Sequence, residues 1–358
     1  MSLRRILEVV LDDDLEDEAL DAVEGDADGT SPSIELPFTP ALQFPAPMAV
    51  GELPSTTPGL LVVSDDEVAT ALLSPIKHAP PLRRPRKSSG MGAAEAAVEE
   101  SVVVPQWKSL FGKLMLDRIE PGFRGRTLDA AAGTGHLSLE ILRQMGDVGR
   151  VVAIESDAGL LEVLRRRAST FAGTRFFARA ESPDALSFGD EVFDIAVACS
   201  GTSVPWLDPR VLSELRRVVV PGGRVLLGLP LHGTFEEVLD MFRDVATRLG
   251  DAHFEARIEA LAARDPHPDQ AAYAMQAAGF REATCSAEER QLSFRSVPEF
   301  FAHPLIRAIA LPDWRTLCGF DRESAELLVE VERTFATYMP KGPITLRVRL
   351  GVIDAVRA

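Results

Sequence analysis

The chain has 358 residues, 38 of them Lys or Arg and 54 Asp or Glu, for a net charge of −16 with His neutral. Hydrophobic residues make up 46% and charged ones 26%, enough to build a core over most of the length. That charge argues against nucleic acid or an anionic membrane as the main partner, because both select a basic face. Cys199, Cys285 and Cys318 are far apart and odd in number, so they give no disulfide framework and no Cys-x-x-Cys metal site; they point to a reducing compartment. The N-terminus turns acidic at Asp12, where a secretory signal would stay apolar. No run approaches the roughly 18–20 apolar residues of a membrane span. The expectation is a soluble, cytoplasmic protein with no metal, no membrane and no nucleic acid.

In chain order, residues 1–36 hold twelve acids against Arg4 and Arg5, and 37–103 carry a net −2. The remaining 255 residues therefore carry only −4. Eleven prolines fall between Pro32 and Pro85. Acid block, Pro-rich spacer and few aromatics cannot bury enough surface to offset chain ordering, so 1–103 reads as a disordered acidic arm. Within it, Leu3, Ile6, Leu7, Val10, Leu11 and Leu15 keep helical spacing, and Ser64-Asp65-Asp66-Glu67 resembles a capping box before Val68, Ala71 and Leu72. Either segment could dock a protein partner. Arg83, Arg84, Arg86 and Lys87 read as a solvated linker.

From Val103 the texture changes. Trp107, Leu110, Phe111, Leu114, Met115 and Ile119 describe one apolar helix face, ended by Pro121-Gly122. Strands are then predicted at 126–131, 150–155, 175–180, 193–199 and 223–231, with helices at 135–145, 159–168 and 210–219. Such alternation indicates parallel crossover units in a sheet covered on both faces. Beyond 231, helices are predicted at 235–249, 270–278, 297–311 and 324–338, with strands at 280–294 and 344–356.

The most informative stretch is Leu128-Asp129-Ala130-Ala131-Ala132-Gly133-Thr134-Gly135-His136. A glycine turn between a strand and its helix lets a ligand approach the backbone, and the helix N-terminus offers free N–H groups. Glu155 follows Gly135 by twenty residues, where a carboxylate accepts hydrogen bonds from both hydroxyls of a ribose. A dinucleotide site and a site for a cationic nucleoside both fit these features. Against the first, Ser138 stands where a third small Gly or Ala belongs, and Asp129 would repel a pyrophosphate.

Here the sequence resembles the class I S-adenosylmethionine-dependent methyltransferases, small-molecule type. Their first motif is an acid followed by x-Gly-x-Gly-x-Gly, and this chain has Asp129-x-Ala131-x-Gly133-x-Gly135, with Ala131 a mild departure. The likeness continues in Val152-Ala153-Ile154-Glu155-Ser156-Asp157, in Phe193 through Cys199, and in Leu215 through the Pro221-Gly222-Gly223 turn. Gln106-Trp107 through Pro121 matches the helix that often precedes the first motif.

The resemblance implies a Rossmann-like seven-stranded sheet, mostly parallel with an antiparallel edge, over 104–358, with 295–342 as a lid. It implies S-adenosylmethionine as cofactor and a small-molecule methyl acceptor. It places Asp129 by the turn that holds the methionine part, Gly133, Thr134 and Gly135 in contact through their backbone, and Glu155 at the ribose, with Ala131, Ser156, Ala180, Glu181 and Cys199 also among the cofactor-binding residues. After the third strand the family usually has Gly-Asp-Ala, its Asp on the adenine amino group. This chain has Ala178-Arg179-Ala180-Glu181, whose Arg cannot accept that bond.

Methyl transfer from a sulfonium needs alignment more than acid–base help. The catalytic residues are therefore not identified by type; His232, just past the fifth strand, is the candidate base, and with Trp206 a candidate for the acceptor pocket. His136 reads as lining the helix start. Tyr273, His303 and Tyr338 are wall candidates, and Phe300, Phe301, Leu305, Ile306, Ile309 and Leu311 form an apolar stripe in the lid. Two other readings stay open: a non-catalytic scaffold using the acidic arm, and an NAD-dependent oxidoreductase.

Overall fold

Residues 92–199, 206–319, 322–339 and 341–358 are described by the computed structural model. The acidic arm through residue 91, with its apolar islands and basic cluster, lies outside them. The first described helix, α1 (Ala93–Val98), runs into a π-helical stretch (Glu99–Lys108) and then α2 (Ser109–Leu116). Pro105 lies inside the π-helical stretch. It has no N–H to give to an α-helical ladder, a local reason for the looser winding. Helix is thus already present upstream of residue 104, where the sequence reading starts the folded domain.

Seven strands form one sheet in the order β3-β2-β1-β4-β5-β7-β6. They are β1 (Arg126–Asp129), β2 (Arg150–Ile154), β3 (Phe176–Arg179), β4 (Phe193–Cys199), β5 (Val219–Pro230), β6 (Phe280–Phe294) and β7 (Ile344–Arg357). β1 to β5 are mutually parallel, and β7 runs antiparallel between β5 and β6. The central strands are apolar on both sides because both faces are covered. Along β4, Ile195, Val197 and Cys199 enter one core and Ala196 and Ala198 the other. The first core takes α2, α3 (His136–Gln144) and α4 (Ala158–Arg167); the second takes α5 (Pro209–Val218) and α8 (Pro268–Ala277).

Strand order reverses between β1 and β4, and sheets of this kind take their ligands outside the carboxyl ends of the strands at that point. Those ends carry Asp129 and Cys199. The register pairing Asp129 with Val197 and with Ala153 fixes the acid between the two neighbouring strands.

The C-terminal part adds α6 (Glu236–Leu249) and α7 (Ala252–Ala262), then four helices between β6 and β7. The single helix expected at 297–311 is broken into α9 (Val297–Ala302), α10 (Pro304–Ile309) and α11 (Leu311–Cys318), followed by α12 (Arg322–Tyr338). Pro304 and Pro312 stand in the first turns of α10 and α11, where a missing N–H costs nothing but a continuous helix cannot pass. α7 escaped the sequence reading; Asp251 starts it by accepting the Phe254 N–H at 2.9 Å.

Candidate functional site

Asp129 ends β1 fully buried. Its Oδ2 accepts from Ser138 Oγ at 2.5 Å and its Oδ1 from the Ala131 N–H at 3.2 Å. Burial pushes the carboxyl up to about 6, against the pull of these two donors and of Lys108. Ser138, which spoils the dinucleotide fingerprint, is therefore the residue that holds the acid.

The turn that follows needs its glycines. Gly133 and Gly135 have φ of 55° and 86°, and a Cβ on Gly135 would lie 2.3 Å from Leu164 Cδ1. The Gly135 N–H closes the turn onto the Ala132 carbonyl at 2.7 Å. Thr134 is buried, and its carbonyl and hydroxyl accept from Arg167 Nη1 at 3.1 and 3.3 Å. Arg167 is also paired with Glu100 at 2.6 Å.

Glu155 follows β2 with both oxygens on the main chain: Oε2 accepts the Gly133 N–H at 2.9 Å and Oε1 the Asp157 N–H at 2.8 Å. The two acids and the glycine turn are thus one hydrogen-bonded unit. Ser156 is exposed beside it. Cys199 is buried, its Sγ 3.7 Å from the Lys108 carbonyl, and burial pushes its thiol up to about 12.

Ala180 is exposed, while Glu181 accepts from the Ser187 N–H at 3.0 Å and from its hydroxyl at 2.6 Å, and pairs with Arg179 at 3.5 Å. The Arg179 guanidinium lies 5.5 Å from the Phe188 ring centroid. The departure at Arg179 is accommodated by Glu181 and Phe188.

The two acceptor-pocket candidates are placed elsewhere. Trp206 is buried in the second core with Leu128 and Ala130, and its Nε1 meets no acceptor among the described residues. His232 turns Nδ1 to the Ala262 carbonyl at 3.2 Å, and its ring lies 4.2 Å from that of His267, tilted by 38°. The structure instead brings Lys108 over the turn, with Glu99 as its partner at 2.5 Å. Burial pulls the Lys108 ammonium down, and Glu99 outweighs this, so it stands above its ordinary value. Sequence reasoning missed this pair because the two residues face apart in an α-helix.

Residues 127–223 match a family described as a methyltransferase domain. The ubiquinone/menaquinone biosynthesis C-methyltransferase UbiE of Teredinibacter turnerae is 30% identical over 141 residues, which is 38% of this chain and 55% of that protein. The demethylmenaquinone methyltransferase of Symbiobacterium thermophilum is 32% identical over 139 residues, 36% of this chain and 52% of that protein. The chain spans about half the length of the curated relatives it matches. The YcgJ protein of Bacillus subtilis aligns in structure at 17% identity and a TM-score of 0.46, covering 70% of this chain and 98% of that one. At that score the likeness supports nothing further, and the fold rests on the strand order. Strand order and glycine turn agree with the methyltransferase-domain match over residues 127–223, and with the S-adenosylmethionine cofactor that the sequence resemblance implies.

The residues present fit that cofactor. A buried carboxylate at Asp129 suits an ammonium group, a strand-end carboxylate at Glu155 suits a ribose diol, and the two left-handed glycines leave the turn bare on either side of the buried Thr134. No helix among the described residues is long and apolar enough to cross a membrane.

Proposed function

We propose that the chain transfers a methyl group from S-adenosylmethionine to a small molecule, and that the acceptor is an electron-rich ring carbon of the quinone type. The observation that carries the first part is Asp129, a buried acid tied to Ser138 and Ala131 beside a turn built on two left-handed glycines. A pyrophosphate would be repelled there, which disfavours the oxidoreductase. The second part is supported by the names of the curated relatives, which act in ubiquinone and menaquinone biosynthesis.

When bound, the cofactor supplies a methyl group already activated on a sulfonium. The chain then has to orient, and orientation supplies most of the rate. Asp129 fixes a cation beside the turn, Glu155 and Ser156 hold a diol, and Ala131, Thr134, Ala180, Glu181 and Cys199 shape the walls. We read the 295–342 helices as a lid that excludes water. His232, donating Nδ1–H to the Ala262 carbonyl, keeps its lone pair on Nε2 for use as a base, whereas Trp206 would need to leave its core to touch an acceptor.

The test is calorimetry with S-adenosylhomocysteine, followed by transfer of a labelled methyl group to a demethylated naphthohydroquinone. Binding in the micromolar range, lost in Gly135→Asp, is the expected result. A wild-type chain that binds no S-adenosylhomocysteine, or that binds NAD(H) instead, overturns it; binding without transfer to the hydroquinone removes the acceptor alone.

A further inference from the structure

Glu99 and Lys108 are nine residues apart. At 3.6 residues per turn that is two and a half turns of α-helix, which sets them on opposite faces. The wider i→i+5 winding of the π-helical stretch brings them together. Their side chains are only 10% and 15% exposed. They lie directly over the glycine turn: a Cβ on Gly133 would meet Lys108 Nζ at 3.0 Å and Glu99 Oε1 at 4.0 Å.

Removing two charges from water is costly, and only well-aligned hydrogen bonds recover the loss. Glu99 Oε1 lies 2.5 Å from Lys108 Nζ, the contact that raises the ammonium, and no other donor among the described residues reaches that oxygen. The pair is therefore a one-to-one contact between two flexible side chains, in a place where a second carboxylate competes for the lysine. The cavity beside it, lined by Val104, Lys108, Ala132, Thr134, His136 and Cys199 among others, encloses about 10 Å³. That is room for about one water molecule, so nothing larger enters unless this cover moves.

The charges around the turn point to the occupant. Asp129 and Glu155 are anionic, and Lys108 is the cation that feels both them and Cys199. Arg167, the other cation at the turn, is committed to Glu100 and to the Thr134 carbonyl. S-adenosylmethionine carries an ammonium, a diol and a carboxylate. The first two have their acids; the third has Lys108.

We propose that Lys108 anchors the cofactor's carboxylate and that Glu99 occupies its place beforehand. Cofactor entry exchanges one carboxylate for another on Lys108 and moves the 93–108 segment outward with Glu99. The exchange keeps one carboxylate on Lys108 throughout, and it rests on the methyltransferase reading above.

The test compares S-adenosylhomocysteine with 5′-methylthioadenosine, which keeps the nucleoside and thioether and lacks the amino-acid end, by calorimetry on the full chain. Glu99→Gln is expected to bind S-adenosylhomocysteine about ten-fold more tightly and Lys108→Met about ten-fold or more weakly, a difference of roughly one decade in each direction. Both variants should bind 5′-methylthioadenosine like wild type. If Glu99→Gln gains nothing, or shifts both ligands alike, the exchange is wrong while the methyltransferase reading stands. If the wild-type chain binds neither ligand, that reading falls and takes the exchange with it. Glu99→Gln decides the matter even if Lys108→Met does not fold.

Discussion

In the sheet half, 126–230, the acids at the ligand edge are tied to main-chain N–H groups. Asp129 holds Ala131, Glu155 holds Gly133 and Asp157, Asp157 caps α4 through Gly159 and Leu160, and Asp208 caps α5 through Arg210. In the helices that cover it, charges meet other side chains instead: Glu99 with Lys108, Arg243 with Glu236 and Glu259, Arg248 with Glu330, Arg264 with Asp313. A carboxylate bonded to backbone cannot move without unmaking a turn. A side-chain pair exchanges partners by rotating a few bonds. On the proposed function, recognition belongs to the half tied to backbone and access to the half whose contacts can be traded.

The two halves are joined at Phe235, and cutting there should give the largest effect. This residue holds a φ of 57°, in the left-handed region that a bulky side chain rarely adopts. Its ring stacks on Trp107 at 6.2 Å and meets Trp314 edge-on at 6.1 Å. Phe235→Ala should cost about 3 kcal/mol of stability in urea unfolding, the usual range for a buried aromatic. Phe235→Gly should be no worse, because glycine accepts the backbone angle. A glycine variant clearly less stable than the alanine one would show that the left-handed backbone carries no strain.

Asp129→Asn sharpens the contrast further, because binding and stability should move in opposite directions. Affinity for S-adenosylhomocysteine should fall about 100-fold, on the order of 2–3 kcal/mol for a lost charge-assisted contact. Stability at pH 8 should rise by roughly 1–2 kcal/mol, since an uncharged amide replaces a buried carboxylate. The sign follows from the carboxyl standing at about 6 in the fold. Between roughly pH 4 and 6 the folded chain keeps a proton that the unfolded chain has released, so this group's contribution to stability declines as pH rises through that window and levels off above it. Wild-type affinity runs the other way, dropping about ten-fold per unit below the carboxyl's value of about 6. A flat affinity between pH 5 and 7 would remove Asp129 from cofactor binding.

The smallest effect belongs to the covering helices. A double-mutant cycle on Arg248 and Glu330, 3.2 Å apart and half exposed, should give under about 1 kcal/mol, and less in high salt. A salt-insensitive coupling of several kcal/mol would mean that these helices are locked rather than tradable.

The sheet half was legible because its signals are local. Gly133 and Gly135, the alternating strands through β5 and the Pro221-Gly222-Gly223 turn each act within a few residues, and their order dictates parallel crossovers. The cover was less legible. The helix expected at 297–311 overlooked Pro304, and α7, although Gly250 and Asp251 mark its start, buries only Phe254, Ile258 and Ala262. Glu99 and Lys108 were invisible for a different reason: a period of 3.6 separates them, and only the π-helical winding around Pro105 unites them. Arg179 and Glu181 illustrate an intermediate case, where residue types signalled a departure but not that Ser187 and Phe188 would absorb it.

Cys199 gives the burial of this edge a chemical meaning. A sulfonium is an alkylating agent, and a thiolate is the strongest nucleophile that a protein can place near one. Burial raises the Cys199 thiol to about 12. At pH 7 the thiol is therefore kept in its protonated, unreactive form. If the chain transfers methyl groups as proposed, a thiol beside the donor is safe from methylation only while protonated, and the packing around Cys199 keeps it so.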